Sequence, residues 1–262
     1  MGTSQLDELR SVVPSFSDEV TRRLADISTG ALAGEFDAAI ELLADSVAQG
    51  GVVQAFGTGH SEAFAMEVAG RAGGLIPTNR IALRDVVLHG SRTTGELFGR
   101  PPLERDPRIA EEIFATVDRH EADVFVIASN SGVNGSVVGV ALLAHQHGHP
   151  VVAVTSLEHT ARVEPKHPSG KRLSEVADVV LDNRAPYGDS TLAGIAGQDV
   201  AMGAVSSLTS AYIAQVLTLG TVTRLAALGV EPPVYVSANV PGGDEHNRAW
   251  EDRYAGRIRR GA

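Results

Sequence analysis

Two segments of this chain carry side chains suited to gripping an anion. In Ser129-Asn130-Ser131-Gly132-Val133-Asn134, an apolar run ending at Ala128 gives way to hydroxyl and amide groups around a glycine. If the run is a strand and Asn134 opens a helix, the Ser hydroxyls and the unpaired N–H groups of the first turn converge on one point that suits a phosphate. The helix dipole adds partial positive charge there without any Lys or Arg. Upstream, Val52 to Phe56 runs into Gly57-Thr58-Gly59-His60-Ser61 and then into a helical stretch from Glu62. Ordinary turns and caps use the same residue types. Their recurrence at two strand exits is what points to one ligand crevice, because an open α/β sheet binds ligands beyond the carboxyl ends of its strands. Glu62 stands where a dinucleotide fingerprint needs its third glycine, so a nicotinamide cofactor is not expected.

The elements that must position these turns follow from periodicity. Leu6 to Ile27 and Ala31 to Ala48 are predicted as amphipathic helices, the first interrupted near Pro14, the two joined loosely at Gly30 and Gly34. Strand 52–56, helix 61–71 and a short second strand drawn from 75–77 and 81–83 come next. The stretch 88–107, with its glycines and prolines, has the length of a binding loop or lid. Helix 109–120, strand 124–128, helix 135–147, strand 151–155 and strand 179–181 alternate thereafter. Strands that are apolar throughout, separated by helices, indicate a parallel sheet covered on both faces. Residues 157–171 are expected to form a loop on the ligand side, and 182–189 another polar exit. A long helix over 197–228 and a basic amphipathic tail over 245–260 complete the chain. Ser206, Ser207 and Ser210 are expected to pack inside that long helix.

The chain of 262 residues, 43% hydrophobic, has no low-complexity run or long linker, so a single domain over 1–262 is expected. The N-terminal helices (5–48) precede a sheet core at about 50–230. Its lack of cysteine excludes disulfides and thiolate metal sites and fits a reducing cytosol. Met1 to Asp7 lack a basic start followed by an apolar core, so no secretory signal is expected, and a cytoplasmic location is. The longest apolar segment, Val200 to Leu219, is interrupted by polar residues and is expected to be a buried helix rather than a membrane span. The net charge of -10 argues against a nucleic-acid surface. It also means that local dipoles, not the overall field, must attract a phosphate.

Gly57-Thr58-Gly59-His60-Ser61, the turn from Ser129 to Asn134, and the strands Val151 to Thr155 and Val179 to Leu181 together resemble the SIS (sugar isomerase) domain family over about residues 30–230. The segment Ser237 to Asn247 is similar to the tail of a bacterial subgroup of single-domain members. The resemblance implies a three-layer α/β/α sandwich around a five-stranded parallel sheet of flavodoxin-like type, with extra N-terminal helices. It implies a phosphosugar isomerase, acting on an aldose, ketose or aminosugar phosphate without cofactor or metal. It also implies a homo-oligomer, dimer or tetramer, with sites near subunit boundaries. A non-catalytic phosphosugar sensor is the alternative from another class, although the acidic N-terminal region offers no basic DNA-recognition helix. An etherase or deaminase on the same fold, or an isomerase of sulfonated sugars, would use similar groups.

Isomerisation needs a base that moves a proton between adjacent carbons and an acid that opens the sugar ring. Glu67 is the candidate base: it lies six residues after Ser61, nearly two helical turns beyond the first exit. The string Phe64 to Arg71 also resembles the helix that bears the catalytic Glu in sedoheptulose 7-phosphate isomerases, with about one helical turn removed. A bland alternative is an i,i+4 pair between Glu67 and Arg71. Glu62 is the second choice. His60 and His246 are the candidate ring-opening acids, since imidazole titrates near neutrality. For the anion, Ser61, Ser129, Asn130, Ser131, Gly132 and Asn134 are expected to bind, with Thr58 and Gly59 adding contacts from the first exit. The alternating His145, His147 and His149 fit no metal spacing and are expected at a solvated helix end.

Overall fold

A computed structural model describes residues 2–259, with side chains from Arg10 onward. Chain order begins with α1 (Gly2–Leu32), α2 (Asp37–Ala48), β1 (Val53–Gly57), α3 (Glu62–Val68) and β2 (Thr78–Ile81). The crossing segment holds the short α4 (Asp85–Leu88) and α5 (Thr94–Leu97), then α6 (Ile109–Ala115). β3 (Val124–Ala128), α7 (Gly135–Gln146), β4 (Val151–Thr155), α8 (Leu157–Ala161), α9 (Leu173–Val176) and β5 (Val179–Asp182) follow. A small hairpin of β6 (Ser190–Leu192) and β7 (Met202–Ala204) precedes α10 (Ser206–Ala227) and α11 (Gly243–Glu251). The main sheet has five parallel strands in the order β2-β1-β3-β4-β5.

Alternation along each strand splits its side chains between two cores. Val53, Ala55, Val124, Val126, Val152 and Val154 join Leu43, Phe64, Ile213 and Leu217 under α2, α3 and α10. Phe56, Phe125, Ile127, Val151 and Ala153 face the other way, into α6 and α7 with Ile113 and Val137. Each fully buried Phe or Ile contributes about 1.5–3 kcal/mol by leaving water, so the two cores fix which strand faces which layer. The result is the three-layer α/β/α sandwich with additional N-terminal helices. The strand order reverses between β1 and β3, whose following helices lie on opposite faces, and there the crevice opens.

The C-terminal segment packs against β2 and the start of β3. Asp123, fully buried, accepts hydrogen bonds from the backbone N–H groups of Val52 (2.8 Å) and His120 (3.1 Å) and from Nε2 of Gln54 (3.0 Å), and pairs with Arg257 (2.5 Å). Arg259 reaches Asp85 at 3.0 Å, and its backbone N–H donates to Asn79.

Several expected boundaries are corrected. α1 runs through Pro14 without interruption and on to Leu32, since proline removes one backbone donor while the turns on either side keep theirs. The second helix starts at Asp37, after a turn over 33–36. Helix 61–71 is shorter, ending at Val68, and helix 109–120 ends at Ala115. The second strand is Thr78–Ile81, between the two stretches expected to form it. The long helix starts at Ser206, not 197, because 190–204 forms the hairpin. The tail is helical over Gly243–Glu251 and continues in a single tight turn over 252–254; residue 260 lies outside the described residues. Among the described residues no helix is long and apolar enough to cross a membrane.

Candidate functional site

The first exit is shaped by glycine. A Cβ on Gly57 would lie 2.3 Å from the backbone oxygen of Ser61, so only glycine lets the chain fold back this tightly. Gly59 then adopts φ +57, and the Ser61 N–H closes the turn on the Thr58 carbonyl at 3.1 Å. His60 is left exposed at the tip.

The second exit is held by its own polar atoms. The Ser129 N–H extends the ladder to Val154 at 3.0 Å, and the Ser129 hydroxyl accepts from the Gly132 N–H at 3.1 Å. Gly132 adopts φ +64, which favours glycine, and a Cβ there would press on the hydroxyls of Thr155 and Thr160 at 3.1 Å and 3.2 Å. Asn130 is tied to the neighbouring exits: its carbonyl accepts from the Ser156 N–H (3.2 Å) and its Oδ1 from Nδ2 of Asn183 (3.1 Å). Part of the chemistry read in Ser129 and Asn130 is therefore turn closure, which leaves Ser131 and the first turn of α7 as the freer donors.

Two features complete the rim. Beyond β5, Asp189 at φ +70 accepts from the Ser206 N–H (2.7 Å), the Ser206 hydroxyl (2.7 Å) and the Val205 N–H (3.2 Å). This fixes the start of α10 against the hairpin. A cleft of about 350 Å³ results, with His60, Ser61 and Asn130 on one side and Asp189, Ser206 and Ser207 on the other. No Lys or Arg lines it. On the other side of the crevice, Asn134 donates from Nδ2 to Glu104 Oε1 at 3.3 Å.

Of the expected catalytic residues, only His60 lines this cleft. Glu67 lies further along α3, where it pairs with Arg71 and accepts from Nε2 of Gln215 on α10 at 2.6 Å. Glu62, the second choice, pairs with Arg84 at 2.8 Å. His246, on α11, lies 2.9 Å through Nε2 from the carbonyl of Val234, in a segment that bonds residues 73–76 just ahead of β2. That is the amino edge, away from the cleft of its own protomer. His145 pairs with Asp178 at 3.0 Å, and His149 is buried. Among the described residues no three His, Asp or Glu side chains gather as a metal site would require.

Sequence reasoning missed Asp189, Ser206 and Ser207. Extending the helix back to 197 places both serines in mid-helix, whereas α10 begins at Ser206. His159 was also passed over: its Nδ1 accepts from the Gly188 N–H at 2.9 Å and its ring stacks on Tyr187. Burial pushes its imidazole below the usual range, against the pull of Asp189.

The SIS domain profile matches residues 15–156. The chain belongs to the SIS domain family. Among its relatives, UPF0309 protein GK1441 of Geobacillus kaustophilus is 35% identical over 220 residues, 84% of this chain and 85% of the relative. UPF0309 protein BH3325 of Halalkalibacterium halodurans is 38% identical over 206 residues, 79% and 83% of the two chains. A phosphoheptose isomerase of Neisseria gonorrhoeae superposes with a TM-score of 0.53 at 18% identity, over 84% of this chain and 99% of that one. An Escherichia coli CFT073 protein in complex with a sugar phosphate gives 0.53 at 16% identity, over 86% and 94%. At such identities the structural likeness is one of SIS fold.

Proposed function

We propose that this SIS protein binds a sugar phosphate and interconverts its aldose and ketose forms by proton transfer. The observation that carries the reading is the meeting of the 57–61 and 129–134 turns at the strand-order reversal, beside a polar cleft with no fixed cation. The phosphate sits at the N-terminus of α7, on Ser131, Gly132 and Asn134, with Thr58, Gly59 and Ser61 facing it and Ser129 and Asn130 holding the turn. The sugar extends into the cleft toward His60, Asp189 and Ser207. The sugar phosphate held by the Escherichia coli neighbour, and the isomerase activity in the Neisseria protein's name, support this ligand class.

In the proposed reaction His60 protonates the ring oxygen and takes the proton of the anomeric hydroxyl as the ring opens. The Glu67 carboxylate then takes the proton from the carbon next to the carbonyl while His60 protonates the carbonyl oxygen, giving a neutral enediol. The enediol collapses when Glu67 returns that proton to the neighbouring carbon and His60 takes the proton of the other enediol hydroxyl, which becomes the new carbonyl, so atoms and charge balance without a cofactor. Gln215 orients the carboxylate. His246, remote from the cleft of its own protomer, would act only from a second copy. We assign the protein to a homo-oligomer in the cytosol, with Met66 on α3 and Leu208 and Leu219 on α10, which are 53%, 46% and 66% exposed, covered by a second copy.

One observation favours a second reading, a binder without chemistry: Glu67 is engaged by Arg71 and Gln215 and does not line the cleft. The test is solvent deuterium uptake at the carbon next to the carbonyl across a panel of aldose and ketose phosphates. Isomerisation requires uptake by the native protein and none by Glu67→Gln with binding retained. Tight binding without uptake leaves only the binder.

A further inference from the structure

We infer that the Glu104 side chain is an internal counter-ligand, a carboxylate standing in the anion cradle that an incoming phosphate must displace. This rests on the sugar-phosphate reading above and adds to it a control on occupancy.

Glu104 lies in the segment that crosses the carboxyl edge between α5 and α6. Its Oε1 accepts from Nδ2 of Asn134 at 3.3 Å, and its Oε2 lies 3.6 Å from the position a Cβ on Gly59 would take. Gly59 belongs to the first exit and Asn134 to the second, so one half-buried carboxylate spans the gap between the two turns. Unlike Glu62, which is paired with Arg84, Glu104 has no Lys or Arg partner among the described residues. It stands at the positive end of the α7 dipole, where an anion is stabilised.

A buried hydroxyl at the second exit remains unsatisfied. Oγ1 of the buried Thr160 has no hydrogen-bond partner. Thr160 Oγ1 is directed at the second exit, 3.2 Å from where a Cβ on Gly132 would stand. A ligand oxygen in the cradle would give this hydroxyl a partner, a role that the carboxylate held by Asn134 leaves unfilled.

The backbone around Glu104 is anchored, so displacement is a side-chain movement. Leu103 is buried in the core with Phe56 and Ile109. The carbonyl of Arg105 and the nitrogen of Pro107 press on Gly135 so closely that a Cβ there would lie within 2.8 Å and 2.7 Å of them. A phosphate and a carboxylate sharing one small cradle repel, so the ligand enters only as Glu104 swings out toward solvent.

The test is titration of inorganic phosphate, and of any sugar phosphate that binds, into the native protein, Glu104→Gln and Glu104→Ala at constant ionic strength and neutral pH. Both variants are expected to bind inorganic phosphate about tenfold tighter or more, because a like charge has been removed from the site. Should Glu104→Ala not fold, Glu104→Gln, which keeps the side-chain volume, carries the comparison. Native protein that binds phosphate as tightly as the variants, or more tightly, overturns the counter-ligand and leaves the sugar-phosphate reading standing. Failure of all three proteins to bind any phosphate compound overturns both.

Discussion

Nε2 of Gln215 lies 2.6 Å from Oε1 of Glu67, so a hydrogen bond ties α10 to α3 at the one carboxylate assigned to proton transfer. Arg71 holds the same oxygen. An i,i+4 pair that is partly exposed contributes only about 0.3–0.5 kcal/mol, so Glu67→Gln is expected to fold normally with an almost unchanged Tm. Gln215→Leu removes the orienting donor and leaves the cleft intact. If Glu67 is the base, it lowers kcat with KM unchanged; steady-state kinetics on the active sugar separates this from a purely structural role.

Asp189 is the hinge of the far rim. Asp189→Ala strips the acceptor from the Ser206 N–H and the Ser206 hydroxyl, while the Val205 N–H keeps the Asp189 backbone carbonyl, at a cost of about 1–3 kcal/mol for donors left unpaired. Urea denaturation should show that loss, and sugar binding should weaken as the start of α10 comes free. Ser206→Ala, which keeps the backbone bond, is expected to cost less than half as much.

At Gly57 the constraint is steric. Gly57→Ala places a methyl group 2.3 Å from the Ser61 carbonyl, in backbone that cannot rotate away. A loss of about 1–3 kcal/mol is expected from such overpacking, together with loss of ligand binding as the turn through His60 opens. Calorimetric melting and ligand titration measure the two effects separately.

Much of this arrangement is legible in the residues, and the exceptions have physical causes. β3 and β4 are found at their expected bounds because they are short, wholly apolar runs that end in polar turns. β2 is harder to read because Asn79, in its middle, is buried on the strength of bonds to Gln54 and to the N–H of Arg259, partners remote in sequence. The hairpin of β6 and β7 escapes notice because exposed Val200 and Met202 mimic the apolar content of the helix that follows. The two polar turns proposed to hold the anion are local chemistry and visible in sequence. Asp189 and Glu104 reach the site by long connections, so only the folded chain reveals them.

Acid should destabilise the fold through His149. This imidazole is 5% exposed beside Phe125, and burial pushes its pKa below the usual range, with Asp123 pulling the other way. The unfolded chain therefore takes up a proton that the fold resists. Stability is fully present above about pH 6.5 and falls as the pH drops from there toward the depressed folded value. His159 and His167, shifted down by burial, add slope of the same sign. Urea midpoints measured across this range should decline less steeply for His149→Gln.

Exposed apolar side chains on α3 and α10 mark the face assigned to a second copy. Leu219→Glu puts a charge on that face without touching either core. Light scattering is expected to give a dimer or larger for the native chain and a smaller species for the variant. A native monomer would contradict the assembly.

The claim on which the rest stands is that the exits of β1 and β3 hold one anionic sugar together. Hydrogen exchange with and without a sugar phosphate that binds tests it directly. Slower exchange is expected at 57–61 and 129–136 together, with weaker protection at 188–190 and 204–207. Protection confined to one exit, or found instead at the 235–251 hollow beside Asp244 and Glu251 on the amino edge, would contradict it.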